Sequence, residues 1–260
     1  MKNPHSKKHH KPPRSRYDIE LEAQIAEGCA KAKNAFISNV SHEIRTPMNA
    51  IMGFGQMLKS TELSSKQEDY VDVILESGSK LLAIISNLLD LSNLQLRKAS
   101  LNSVNCNLNQ LMESLWLRYR PIIVAKNLKP ILDVQNNLPI ARLDCEKLER
   151  VLSYILSNAI KFTALGSVAL KLKLIEASGK RPYLDIEVED TGCGIEQSRL
   201  KLIFEAFEQA DNSVTRAYPG MGLGLGISSM IVELLGGEIS VSSHPGEGSC
   251  FHLIIPVDID

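Results

Sequence analysis

The sequence predicts an α + α/β protein: an antiparallel helical hairpin that forms a dimeric four-helix bundle, followed by an α/β sandwich. Two observations predict this fold class. Apolar residues recur at three- and four-residue intervals in the first hundred residues, and farther on they alternate with polar ones. A polar stretch separates the two patterns. We expect a basic, disordered tail at 1–16, a coiled-coil helix at 17–33, the hairpin at 34–97, a linker at 98–107 and the sandwich at 108–260.

The hairpin consists of two long helical patterns. The first runs from about Tyr17 to Lys59 and contains no proline before Pro47, and the polar segment Ser60 to Lys66 connects it to the second. The first helix carries an apolar stripe of Phe36, Val40, Ile44, Ile51 and Leu58. The second carries one of Tyr70, Val73, Ile74, Leu81, Ile84, Ile85, Leu88, Leu91 and Leu94.

These stripes are wider than a lone hairpin can cover. They could pack on a second copy of the chain, which would make a four-helix bundle, or on the C-terminal domain of the same chain. We expect the homodimer.

The region after residue 107 predicts strands and helices in separate layers. Alternating apolar residues indicate strands at Val168 to Leu174, Leu184 to Val188, Ile239 to Val241 and Phe251 to Ile255. Helical patterns lie at Leu108 to Lys126, Cys145 to Phe162 and Leu223 to Leu235. Strands on one layer and helices on the other make an α/β sandwich.

Composition restricts partners and compartment. A net charge of −1 argues against bulk electrostatic binding to nucleic acid, and a hydrophobic content of 44% suffices for packed cores. The first sixteen residues hold lysines and arginines without acids, which suits a disordered tail or a segment at an anionic surface. No apolar run reaches about 18 residues, so we expect a cytoplasmic chain whose membrane anchor, if any, lies elsewhere. Five cysteines without a Cys-x-x-Cys spacing predict reduced thiols.

The segment around His42 combines a nucleophile with a carboxylate. His42, Glu43 and Thr46 cluster beside the apolar stripe of the first helix, just ahead of Pro47. Proline cannot donate a hydrogen bond to the carbonyl of Glu43, so we expect looser packing beside the histidine. Taken alone, this pattern also fits a structural histidine in an amphipathic helix.

Four later segments carry asparagine, lysine, aspartate and clustered glycines. They are Asn158-Ala-Ile-Lys161-Phe162, Asp190-Thr-Gly192-Cys-Gly194, Gly220-Met-Gly222-Leu-Gly224-Leu-Gly226 and Gly246-Glu-Gly248-Ser249. Singly, each has an ordinary alternative, since lysines on helices are usually solvated and Asp-Thr-Gly is a common turn. A plain hairpin turn is an equal alternative for Gly246 and Gly248.

Together with the His42 segment, these motifs resemble the sensor histidine kinases of two-component signalling, with their H, N, G1, F, G2 and G3 boxes. Counted with a lid segment at Phe204 to Met221, which carries the hydrophobic anchors Phe204 and Phe207, the six segments follow the family's order across residues 36 to 256. The resemblance implies a homodimer with a signalling helix at 17–33 and an ATP-binding domain of the Bergerat type. It also implies transfer of phosphate from ATP to His42, then to an aspartate of a response-regulator receiver domain. Dephosphorylation of that receiver, with Thr46 orienting water, belongs to the same family pattern.

The resemblance also implies a role for each motif residue. Asp190 would accept a hydrogen bond from the adenine amino group, and Gly192 and Gly194 would let the purine approach. Asn158 would ligate Mg²⁺, Phe162 would pack near the nucleotide, and Glu43 would orient the His42 ring. The phosphates would meet Lys161, the lid residue Arg216 and the glycines Gly220, Gly222 and Gly224, while Gly246 and Gly248 would brace the pocket.

Three residues depart from the family pattern. Tyr154 stands where a second asparagine is common, Pro219 replaces a lid glycine, and Met221 replaces a threonine or serine. Related ATPases hydrolyse ATP with a glutamate at the position of Tyr154, and a phenol with a pKa of about 10 is a poor base. Direct hydrolysis is therefore disfavoured. Tyr154 precedes Asn158 by four residues and shares its helix face, so we expect the phenol to point toward the metal and phosphates, with packing into the helix core as the alternative. The alternative to an active kinase is a catalytically weak nucleotide-binding pseudokinase or dimeric scaffold.

Overall fold

The computed structural model of the chain describes residues 16–95, 100–176, 179, 181–205 and 222–259. Its first part is the predicted hairpin, made of α1 (Arg16–Lys59) and α2 (Ser65–Gln95). The backbone N–H and the hydroxyl of Ser64 both donate to Oε1 of Gln67, so that the side chain of Gln67 caps the start of α2. The prediction of two long helices joined by a short polar turn is confirmed.

The register of the hairpin is visible at two glycines. Gly55 of α1 lies against Leu75, and Gly78 of α2 lies against Met48 and Met52. Without a Cβ at these positions, the two helices can approach closely. The antiparallel register places His42 of α1 at about the level of residue 88 of α2.

The hairpin leaves large apolar side chains in solvent. The exposed fraction reaches 67% for Phe54, 64% for Met57 and 60% for Val73. Ile51, Leu58, Tyr70, Ile74 and Leu81 are exposed as well. The C-terminal end of α2 differs, because Leu88, Leu91 and Leu94 pack against the sandwich core. The sandwich domain of the same chain therefore covers the apolar stripe of α2 only at its last turns.

The second part is an α/β sandwich with two sheets. The five-stranded sheet has the order β2-β4-β5-β7-β6, and a three-stranded sheet has the order β1-β3-β8. The strands of the larger sheet are β2 (Lys129–Val134), β4 (Ser167–Ile175), β5 (Tyr183–Asp190), β6 (Glu238–His244) and β7 (Gly248–Pro256). Those of the smaller sheet are β1 (Val104–Asn107), β3 (Ile140–Leu143) and β8 (Asp258–Ile259).

Among the described residues, three helices cover one face of the larger sheet: α3 (Leu108–Ala125), α4 (Cys145–Phe162) and α5 (Gly224–Leu234). Alternate residues of β4, β5 and β7, such as Leu170, Ile186 and Leu253, point into this layer and are fully buried. The side chains of Asn107 and Asp144 accept backbone N–H groups at the starts of α3 and α4. The predicted sandwich is confirmed.

The predicted linker at 98–107 is wrong at its C-terminal end. Residues 104–107 form β1, which pairs antiparallel with β3, and Cys106 is only 1% exposed. Strands β1, β2, β3 and β8 were absent from the prediction because each of them has six residues or fewer and two or fewer buried positions, too few to show an alternating pattern.

The prediction of reduced thiols is wrong for two cysteines. Cys106 of β1 and Cys145 at the start of α4 form a disulfide, with their Cα atoms 6.0 Å apart. The sequence separation is 39 residues, and the pairing of β1 with β3 brings the two positions together. A search for closely spaced cysteines cannot find such a bridge. Cys193 and Cys250 are free thiols.

Within the described ranges, the structure contains no helix that is both long and apolar enough to cross a membrane.

Candidate active site

His42 lies on the exposed side of α1. Its neighbour Ser41 is only 4% exposed and donates its hydroxyl to the carbonyl of Ile37 at 2.6 Å. Thr46 donates its hydroxyl to the carbonyl of His42 at 3.2 Å. Glu43 is exposed as well. Helix α1 contains Pro47 and continues beyond it to Lys59. The helix thus presents the ring of His42 to solvent, where another domain can reach it.

Asn158 lies in the last half of α4, where its side chain is half-buried. Among the described residues, the structure records no hydrogen-bond partner for its amide. An amide oxygen is a hard donor of the kind that Mg²⁺ prefers, and Mg²⁺ usually takes few protein ligands and completes its shell with phosphates and water. The donor chemistry at Asn158 therefore fits this ion.

Lys161 and Phe162 form the C-terminal end of α4. The Lys161 ammonium lies 4.8 Å from the centroid of the Phe162 ring, at a distance typical of a cation–π contact. Burial lowers the pKa of Lys161 below its ordinary value. The positive charge is therefore partly desolvated, which strengthens its attraction to an anion that binds beside it.

Asp190 is the last residue of β5, opposite Val168 of β4 and Ser249 of β7. Its Oδ1 accepts the backbone N–H of Gly192 at 2.8 Å. Burial raises the pKa of the Asp190 carboxyl, although hydrogen bonds from Gly192 and Ser249 oppose the shift. Its side chain is a partly buried acceptor at the end of a strand, as the adenine hypothesis requires.

The glycines after Asp190 allow this loop to meet the end of α4. A Cβ on Gly192 would lie 2.6 Å from the carbonyl oxygen of Phe162 and 2.7 Å from Oδ1 of Asp190. The N–H of Cys193 donates to the same Phe162 carbonyl at 3.3 Å. Gly194 has a positive φ of 69°, which a residue with a side chain rarely adopts. Asp190 and the Asn158 end of α4 are therefore held together by backbone contacts.

The β6–β7 turn supports the loop from the opposite side. Gly246 donates its N–H to the carbonyl of Cys193 at 2.8 Å. Gly248 has a φ of 110° and faces the carbonyl of Asp190 so closely that a Cβ would collide with it. The two glycines form a hairpin turn that also braces the Asp190 loop.

The glycine-rich segment is described only from residue 222 onward. Gly222 has a φ of 66°, and Gly224 begins α5. Arg216 and Gly220, together with the departures Pro219 and Met221, lie outside the described residues.

Tyr154 does not face the proposed metal ligand. Its hydroxyl donates to Oδ1 of Asn87, on α2, at 2.5 Å, and its ring lies against Gly224. The expectation that this phenol points toward metal and phosphates is wrong, because α2 offers it a hydrogen-bond acceptor. Sequence reasoning also missed Thr191, whose hydroxyl oxygen accepts the N–H of Ser167 at 2.9 Å and thereby fixes the same loop to β4.

The structure thus brings Phe162, at the end of the helix that carries Asn158 and Lys161, into contact with the loop at Asp190, whereas His42 lies on the separate hairpin. Comparison with known proteins assigns the hairpin and the sandwich domain each to a protein family. Residues 32–97 match the His Kinase A (phospho-acceptor) domain family, and residues 143–259 match the family described as histidine kinase-, DNA gyrase B- and HSP90-like ATPases. The chain is the catalytic core of a histidine kinase.

Similar curated proteins carry the same assignment. The kinase core is 39% identical over 235 residues to the sensor protein GacS of Pseudomonas syringae and 40% identical over 245 residues to the autoinducer 2 sensor kinase/phosphatase LuxQ of Vibrio vulnificus. The two alignments cover 90% and 92% of the chain, but 26% and 28% of the relatives. The chain therefore spans about a quarter of the length of these curated relatives.

Solved structures show the same fold. Full-length ShkA in complex with AMPPNP is 29% identical, with a TM-score of 0.72 over 87% of the kinase core and 46% of ShkA. The histidine kinase AdeS of Acinetobacter baumannii is 22% identical, with a TM-score of 0.57 over 83% of the kinase core and 97% of AdeS, a likeness of fold alone.

Proposed function

We propose that this kinase core transfers the γ-phosphoryl group of ATP to His42 and that phosphohistidine then passes it to an aspartate of a response-regulator receiver domain. The observation that carries the proposal is the combination of an exposed histidine in a phosphoacceptor hairpin with a partly buried aspartate at the end of the central strand of an ATPase fold. One part supplies the nucleophile and the other supplies the nucleotide.

The chemical step forms one bond and breaks one. A ring nitrogen of His42 attacks the γ-phosphorus of ATP, an N–P bond forms, and the bond to the bridging oxygen breaks, which leaves ADP. Glu43 accepts a hydrogen bond from the other ring nitrogen. This bond selects the tautomer whose attacking nitrogen is unprotonated and stabilises the positive charge that develops on the ring.

The sandwich domain binds and orients the nucleotide. Asp190 accepts from the exocyclic amine of adenine, which guanine lacks at that position, and Lys161 and Arg216 neutralise the phosphates. Asn158 would hold Mg²⁺ through its amide oxygen, and the bound ion would neutralise charge on the phosphate oxygens. Phe162 packs beside the nucleotide. The glycines at 220, 222 and 224 leave the backbone N–H groups open to phosphate.

The kinase core would work in the cytoplasm, with any membrane anchor on another segment of the protein. Thr46, one turn after His42, would orient a water molecule for dephosphorylation of the partner receiver. We propose no binding of nucleic acid, because the net charge is −1.

Incubation with γ-labelled ATP tests the function. We expect label on the chain that is stable in alkali and lost in acid, as the N–P bond of phosphohistidine requires. Release of labelled inorganic phosphate without label on the chain would indicate hydrolysis. ATP binding without any turnover would indicate the nucleotide-binding scaffold, and either result would contradict the proposal.

We propose further that the hairpins of two chains form a four-helix bundle. Phe54, Met57 and Val73 belong to an exposed apolar face that the catalytic domain of the same chain does not cover. Such a face, repeated on a second copy around a two-fold axis, would be buried on both sides.

Light scattering of the chain should therefore give twice the monomer mass at micromolar concentration. Phe54→Glu should yield monomers, because the charge would be buried between hydrophobic helices. Leu117→Glu is the matched control, since Leu117 is 64% exposed on α3 of the sandwich domain. A monomeric wild-type chain would contradict the bundle.

A further inference from the structure

A polar cluster joins the hairpin to the sandwich domain at the C-terminal half of α2. Tyr154 of α4 donates its hydroxyl to Oδ1 of Asn87 at 2.5 Å, and Arg150 donates its Nε–H to the same hydroxyl at 3.2 Å. The guanidinium of Arg150 also forms an ion pair with Asp90. It reaches the hydroxyl of Ser86 at 3.4 Å. Arg150 and Tyr154 therefore contact three residues on one face of α2.

This contact is partly removed from water. The side chains of Arg150 and Asp90 are 33% and 24% exposed, and Leu91, one residue after Asp90, is 5% exposed against the sandwich core. Leu88 and Leu94 pack against the same core. Ion pairs in such surroundings are screened less than those on the open surface, so the cluster favours one position of the sandwich domain on α2.

The same cluster reaches the nucleotide side of the domain through Tyr154. A Cβ on Gly224, the first residue of α5, would lie 3.2 Å from the Tyr154 ring. Asn158 follows Tyr154 by one helical turn on α4. The phenol thus lies between the hairpin and two residues assigned to nucleotide binding.

The cluster also lies at the level of the phosphoacceptor. The hairpin register places His42 at about the level of residue 88, between Asn87 and Asp90 in height, yet the side chain of His42 remains exposed on α1. The reacting nitrogen and the γ-phosphorus must come within about 3–3.5 Å of each other for transfer. Among the described residues, no hydrogen bond or ion pair joins the exposed ring of His42 to the sandwich domain, so contacts that fasten this domain to α2 oppose the movement that would bring its nucleotide to α1.

We propose that Asn87, Asp90, Arg150 and Tyr154 form an interdomain latch that holds the ATP-binding domain on α2 and slows its approach to His42. The latch includes Tyr154, which stands where the family commonly has an asparagine. Tyr154 is one of the three residues by which this chain departs from the family pattern. The inference rests on the proposed autophosphorylation of His42.

The first test removes one hydroxyl from the latch and a matched hydroxyl elsewhere. Tyr154→Phe deletes the bond to Asn87 and keeps the ring against Gly224. Tyr119→Phe is the control, because its hydroxyl donates to the carbonyl of Ser153 at 3.2 Å inside the sandwich domain. We expect Tyr154→Phe to autophosphorylate about three- to tenfold faster than the wild type, and Tyr119→Phe to match the wild type.

Hydrogen exchange of the full chain gives a readout that is independent of activity. Tyr154→Phe should increase exchange in residues 84–94 of α2 and in α4, whereas Tyr119→Phe should leave α2 unchanged. If the wild-type chain takes up no label from ATP, the proposed function fails, while exchange in α2 still shows whether the contact exists.

The ion pair allows a rescue experiment. Asp90→Arg and Arg150→Asp should each raise exchange in α2 and speed labelling, because each leaves two like charges facing each other across the contact. The double variant restores opposite charges and should return both readouts toward the wild type. Unchanged exchange in all latch variants, slower labelling in Tyr154→Phe, or a double variant no closer to wild type than the single ones would overturn the latch.

Discussion

Replacing His42 by alanine abolishes autophosphorylation and leaves ATP affinity within a few-fold of the wild type. The ring is the proposed nucleophile, and it is exposed on α1, whereas the described residues that we assign to the nucleotide lie on the sandwich domain. The first helix contains no other histidine that could replace His42 as the nucleophile, so we expect labelling to fall by about a thousandfold or more. Gel-based labelling and equilibrium binding of an ATP analogue measure the two quantities separately.

His252→Gln is the matched control for His42→Ala. His252 lies on β7, where its Nε2 is 2.6 Å from Oδ1 of Asp185, and its neighbours Phe251 and Leu253 face the helices. We expect normal labelling of this variant. Label that persists in His42→Ala would show that another residue accepts the phosphoryl group.

Asp190→Asn weakens ATP binding by about a hundredfold, the range of a lost hydrogen bond to a charged group, and reduces labelling accordingly. The amide carries a donor toward the adenine amine, where the carboxylate offers an acceptor. The turn itself should survive, because the asparagine oxygen can still accept the N–H of Gly192. Calorimetric titration with ATP and with GTP measures both affinity and selectivity.

Glu189→Gln is the control for this charge change. Glu189 precedes Asp190 on β5, its side chain points to the opposite face, and it pairs with Lys171 at 2.7 Å. We expect ATP affinity close to that of the wild type. An Asp190→Asn protein that binds ATP normally would mean that the adenine contact lies elsewhere.

The hairpin could be predicted from the sequence because its signals are long and local. Apolar residues at helical spacing extend over α1 and α2, so small errors in individual positions do not change the pattern. The strands β4, β5 and β7 have eight or nine residues each, and their burial alternates along most of the strand. They were predicted for the same reason.

The candidate site was predictable at the level of motifs. Asp190 with Gly192 and Gly194 requires a particular backbone, and the structure shows why, since Gly192 has no room for a side chain beside Phe162. The conformation of such a turn depends on adjacent residues, so it can be predicted from the sequence. The segment from 206 to 221, which includes Arg216 and Gly220, remains a prediction from the sequence.

The sequence by itself determined the helical hairpin, the sandwich and the order of the motifs, because periodicity and turn chemistry depend on neighbouring residues. Only the tertiary structure decided the pairing of β1 with β3, the Cys106–Cys145 bridge and the direction of the Tyr154 hydroxyl. Tyr154 and Asn87 are 67 residues apart, and no local pattern contains their contact. Such contacts follow from how whole elements pack, so their partners are fixed only when both elements are in place.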